Sequence, residues 1–68
     1  MNQETFNLSI RKFLKMVGVN SQREIEHAVD QGLQQGSVKG SESFPAEVTL
    51  HVPGLSVNVV FKGEIRLE

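Results

Sequence analysis

The chain has no cysteine, no tryptophan and no tyrosine, and only two prolines in its 68 residues. Without cysteine there is no disulfide framework and no thiolate metal site, two of the usual supports of a small fold. With phenylalanine as its sole aromatic residue type, the chain offers little for nucleic-acid bases to stack on. It lacks a surplus of either charge as well. Seven Lys/Arg against eight Asp/Glu leave a formal net charge of −1, with no global pull toward nucleic acid or an anionic membrane. The longest apolar run is Val59, Val60 and Phe61, too short for a membrane span or the apolar core of a secretory leader. A cytoplasmic location is therefore the default expectation. What is left is one small domain, residues 1–68, whose ordering cost of about 1.5 kcal/mol per residue must be offset by a small core. Self-association is the aid that these absences do not remove.

The residues that are present divide into two kinds of pattern. Phe6, Ile10, Phe13, Leu14 and Val17 recur at i, i+4, i+7, i+8 and i+11, one face of a helix. Gly18 stands where a left-handed helix end would be placed, and Lys12 and Lys15 suit the last turns electrostatically. Ser21-Gln22-Arg23-Glu24 then reads as a capping box, in which the serine side chain accepts from a helical amide and the glutamate reaches back. Ile25, Ala28, Val29, Gly32 and Leu33 continue at helical spacing and Gly36 closes the run. The spacing thus predicts two helices, about 4–17 and 22–35, joined by a short turn.

The stretch from Gly36 to Glu47 is polar and carries Pro45, and reads as a connection anchored by Val38 and Phe44. After it the period changes to two. Val48, Leu50 and Val52 alternate with Thr49 and His51, and Leu55, Val57, Val59, Phe61, Ile65 and Leu67 keep the odd positions apolar. Pro53-Gly54 marks the turn, either tight or slightly longer. Two strands, about 47–52 and 55–67, are expected as an antiparallel hairpin, with Val52 facing Leu55 and Thr49 facing Asn58 in the tight register. Gly63 suggests a bend or bulge. Because proline cannot donate in a ladder, pairing of the first strand is expected to stop near Pro45. That leaves the C-terminal length, with Glu64, Ile65, Arg66 and Leu67, as a strand edge to be paired by residues 37–40 or by another molecule. The expected fold class is α+β, with two amphipathic helices on one face of the hairpin.

No pattern carries catalysis. A helix-turn-helix reading places Leu14 where a small residue is usual and Glu24 where a buried aliphatic is usual, so a helix stop followed by a cap is the better account of residues 18–24. Glu24-x-x-His27 has the spacing of a helical metal half-site, but that scaffold needs four helices and more inward carboxylates. His51, with Thr49, Asn58 and Lys62, makes a polar strand face without a nucleophile, base and orienting group. Gly32-x-x-x-Gly36 matches a membrane dimer motif in letters only, since its surroundings are polar. No catalytic, cofactor-binding or metal-ligating residue is assigned.

Two surfaces remain as candidates. Arg11, Lys12, Lys15 and Arg23 lie in a stretch without an acid from Thr5 to Arg23, which would suit phosphate or an acidic partner. The strand edge Glu64–Leu67 would suit pairing with another chain. The expected function is a small non-enzymatic interaction module, binding a protein partner or forming a weak homodimer through a strand edge or helix face. Leu8, Met16 and Val60, apolar residues off the core faces, agree with it. A nucleic-acid-associated role for the basic face is the second expectation, and no membrane role is expected.

The segment FNLSIRKFLKMVGVNSQREIEHAV and the hairpin VTLHVPGL with its following GEI are the most distinctive parts of the chain. In these, and above all in SIRKFLK-x-VGV-x-SQREIE, the chain resembles a family of small bacterial proteins of about this length, a domain of unknown function. The resemblance spans nearly the whole chain. It implies a bacterial, cytoplasmic source and an α+β fold, and it implies no activity or catalytic residue.

Overall fold

The computed structural model describes all 68 residues, Met1–Glu68. One helix, α1 (Gln3–Gln35), is followed by an antiparallel pair of strands, β1 (Ser43–Val52) and β2 (Val57–Arg66), linked by a short 3-10 turn at Pro53–Leu55. The class is α+β, with one helix where the periodicity predicts two. The chain forms two compact units, Met1–Ser37 and Val38–Glu68.

The first unit is helical throughout residues 3–35, about 50 Å of helix. Asn2 caps its start, its side-chain oxygen accepting from the Thr5 N–H at 3.0 Å. Gly36 ends it in the left-handed conformation at φ 79°, its N–H donating to the Leu33 carbonyl at 3.3 Å. The break expected at Gly18–Ser21 does not occur. Gly18 does not take a positive φ, and Ser21 lies inside the helix. The physical reason is a comparison of costs. A helical glycine costs about 1 kcal/mol relative to alanine. Ending one helix and starting another leaves four backbone carbonyls and four amides to be satisfied anew. No proline forces that exchange, so the helix runs through.

The second unit is the hairpin. Its register pairs Val52 with Val57, Leu50 with Val59, Val48 with Phe61, Ala46 with Gly63 and Phe44 with Ile65. This is two residues away from the tight register, because the turn occupies 53–56 rather than two residues. A shift of two preserves side-chain parity, so the apolar face is the expected one. Asn58 consequently faces His51, and Thr49 faces Val60. The strand bounds also move, from about 47–52 and 55–67 to Ser43–Val52 and Val57–Arg66.

Pro45 does not end the pairing. The Leu67 N–H donates to the Glu42 carbonyl at 3.0 Å, one step beyond the Ser43–Arg66 pair. Residues 42 and 67 are thus a hydrogen-bonded pair. Alternation along the ladder then gives the even residues of β1 their bonds to β2 and turns the backbone groups of the odd ones outward. Pro45 is odd, so its missing N–H falls on the outer edge, where a ladder can accept proline. Glu64, Ile65 and Arg66 therefore have partners in Pro45, Phe44 and Ser43. The expectation that the first strand leaves the C-terminal length unpaired is overturned.

Candidate interaction surfaces

On an uninterrupted helix, sequence separation becomes angular position. Arg11, Lys15, Lys12 and Arg23 fall within an arc of about 120°, over about 18 Å of axis. Continuity of the helix brings Arg23 into line with Lys12, eleven residues earlier. The same side of the next turns carries Glu26 and Asp30, so the basic patch gives way to acid toward the C-terminal end. None of the four cations forms an ion pair; the one in the chain joins the Arg66 Nε to the Glu64 Oε1 at 3.9 Å, and both are exposed.

The opposite side of α1 is apolar. Phe6, Ile10, Phe13, Leu14 and Ile25 lie along it and are all exposed. Gly32 is the one buried residue of the helix. Helix continuity joins two short stripes into a single face that the two-helix reading divides at Gly18.

The hairpin also has two unlike faces. Phe44, Ala46, Val48, Leu50 and Val52 oppose Ile65, Gly63, Phe61, Val59 and Val57 on one of them. The other carries Ser43, Pro45, Glu47, Thr49 and His51 against Arg66, Glu64, Lys62, Val60 and Asn58. At Ala46 and Gly63 the apolar face is interrupted by small residues, and an open depression of about 370 Å³ is bounded there by Pro45, Ala46, Glu47, Lys62 and Gly63. Of the predicted edge residues, Glu64 and Arg66 direct their backbone groups away from β1, whereas Ile65 and Leu67 direct theirs toward it. The outward positions of β2 thus include Asn58, Val60 and Lys62, which the sequence reading omitted. No third strand pairs with either edge.

Across the whole chain no apolar side chain is buried. No group of three or more His, Cys, Asp or Glu is placed to hold a metal ion, so Glu24 and His27 gain no further ligand. No helix is long and apolar enough to cross a membrane.

One polar arrangement was missed in the sequence. The Glu42 carboxylate accepts from three successive backbone amides, those of Lys39, Gly40 and Ser41. The distances are 2.8 Å from Lys39 to Oε2, 2.8 Å from Gly40 to Oε1 and 3.1 Å from Ser41 to Oε1. Gly40 at φ 104° folds the loop so that these N–H groups converge. The bond from Lys39, with those from Gly40, Glu42 itself and Ser41, holds the carboxyl below its usual range against a smaller opposing effect of desolvation. The signal in the sequence was Lys-Gly-Ser-Glu, a glycine and a serine just before an acid.

A family model spanning residues 1–68 matches this chain. The chain belongs to a family of unknown function, DUF6494. The match covers every element described above, from the Asn2 cap to the end of β2. No curated protein and no solved structure matches the chain. Membership of the family agrees with the resemblance drawn from the helix and hairpin segments, and it assigns no activity to either face.

Proposed function

We propose that this protein is a small, non-enzymatic interaction module whose apolar surfaces are completed by another polypeptide. The observation that carries the reading is that no apolar side chain is buried, although the helix and the hairpin each present an apolar face. A two-stranded hairpin alone is marginal in water, and most helix stability comes from packing an amphipathic face. A helix and a hairpin that each present such a face are therefore suited to association. A cytoplasmic setting fits this role.

Dilution tests the reading. At low concentration and without a partner, the chain should bind an apolar dye and exchange its backbone amides rapidly, and association should reverse both. A dilute monomer that is cooperatively folded, protected and silent to the dye would overturn it.

A second reading, nucleic-acid association, is favoured by the shared arc of Arg11, Lys12, Lys15 and Arg23 and weakened by Glu26 and Asp30 beside it. It requires binding to mixed oligonucleotides that weakens steeply with salt and is lost in Arg11→Glu with Lys15→Glu. Fluorescence anisotropy at low salt decides it, and no binding there ends it.

A further inference from the structure

The apolar face of α1 has an internal symmetry. Its central row is Phe6, Ile10, Phe13, Val17, Ser21, Ile25, Ala28 and Gly32, and these steps read the same from either end. The midpoint is Val19. Phe6 and Gly32 lie thirteen residues to either side of it, Ile10 and Ala28 nine, Phe13 and Ile25 six, Val17 and Ser21 two. Size runs in the opposite sense to position. Each large residue of the N-terminal half has a smaller or equal counterpart in the C-terminal half.

We propose that the partner of this face is a second copy of the same chain, seated on it antiparallel with the two-fold axis at the axial level of Val19, between Val17 and Ser21 of the row. The proposal rests on the interaction-module reading and names its partner. In this arrangement Ile10 lies over Ala28 of the other copy, and Phe6 reaches the level of Gly32, which presents no side chain and is already buried within its own chain. Phe13 meets Ile25, and Val17 meets Ser21. Each contact occurs twice, as a self-complementary two-fold interface requires. A parallel pair would instead crowd Phe6 on Phe6 and Phe13 on Phe13, and would leave a gap at Ala28 and Gly32. Close packing penalises both faults.

Size and exposure fit the same arrangement. Phe6, Ile10, Phe13 and Ile25 are 38–47% exposed, and so have surface left to bury. A strip running from Phe6 to Gly32 would cover on the order of 860 Å² in the pair, given about 1.5 Å of rise per residue and a helix about 11 Å wide. That falls just below the roughly 1,000 Å² expected of a stable specific interface, so the pair is a weak, readily reversible one. The mean step of the row is about 3.7 residues, above the roughly 3.6 of a straight helix, so the two helices would wind gently right-handed rather than in a left-handed supercoil. The charged arc of Arg11 to Arg23 stays on the outer side.

The absence of natural cysteine allows a direct test on the full chain. Single variants Ile10→Cys and Ala28→Cys are prepared, oxidised alone and oxidised as an equal mixture, and the unaltered chain is sedimented over a dilution series. The expected result is a concentration-dependent dimer, a mixed disulfide well above the statistical share in the mixture, and little disulfide in either variant alone. In an antiparallel pair two Ile10 positions are about 27 Å apart, far beyond disulfide reach. Strong cross-linking of each variant with itself would overturn the antiparallel pair. A monomer at every concentration would overturn the second copy as partner, and this arm does not depend on the variants folding. If that monomer binds apolar dye and exchanges rapidly, the module reading survives the loss of this proposal. If it is protected and dye-silent, both fall.

Discussion

Glu42 does at one loop what a bound anion does in other proteins: it occupies converging backbone amides with a negative charge. Its pKa is lowered on folding, so the stability it adds is present above the ordinary carboxylate range and is lost as pH falls through the lowered folded value. The amide resonances of Lys39, Gly40 and Ser41 should therefore titrate together, with a midpoint below that of an ordinary glutamate. Glu42→Gln should abolish that titration. Ser56 is the other residue under local demand. It sits at φ 55° in the left-handed region, closing the turn with its N–H donated to the Pro53 carbonyl at 3.2 Å, whereas Gly54 takes no positive φ. A non-glycine residue there costs roughly 1–2 kcal/mol. Ser56→Gly, less the added freedom of the unfolded chain, should stabilise the hairpin by about 0.5–1 kcal/mol, read from thermal or urea unfolding.

At the scale of the element, the question is whether Gly18 ends a helix or lies within one. The two cases predict opposite signs for the same substitution. A Cβ added at Gly18 meets nothing within 4 Å, and the position has helical backbone. Gly18→Ala should therefore raise stability by about 0.5–1 kcal/mol and increase helicity measured by circular dichroism. Gly36→Ala, at φ 79°, should lower stability by a similar amount because alanine is strained there. A loss at both positions would restore the two-helix reading. The apolar spacing correctly marked both halves of α1 and its end at Gly36. What it could not decide was the join, because Ser-x-x-Glu is compatible with a cap and with a helix interior alike. The hairpin was legible for a related reason. Parity survives a two-residue change of turn, so the apolar face was right while the partners were not. Pro45 misled because its effect depends on which side of the strand its nitrogen faces, and that follows only from the register.

At the scale of the whole molecule, the symmetry of the helix face was hidden by dividing the helix at Gly18, since neither half contains the midpoint and both arms. Its consequence can be measured without any substitution. If folding and pairing are linked, two chains unfold from one dimer, and concentration enters the equilibrium. Each tenfold rise in concentration adds about 1.4 kcal/mol of stability per dimer. With an unfolding entropy of about 2.1 cal/mol/K per residue over both chains, the melting midpoint should rise by about 5 °C per tenfold step. Melts followed by circular dichroism over three decades of concentration would resolve such a slope easily. A flat midpoint over that range would mean that folding does not draw on association, and the apolar face of α1 would then need an occupant other than a second copy. A slope that disappears in Phe13→Ala but persists in Val60→Thr would place the linkage on the helix face, because Phe13 lies on the symmetric row and Val60 on the polar side of the hairpin.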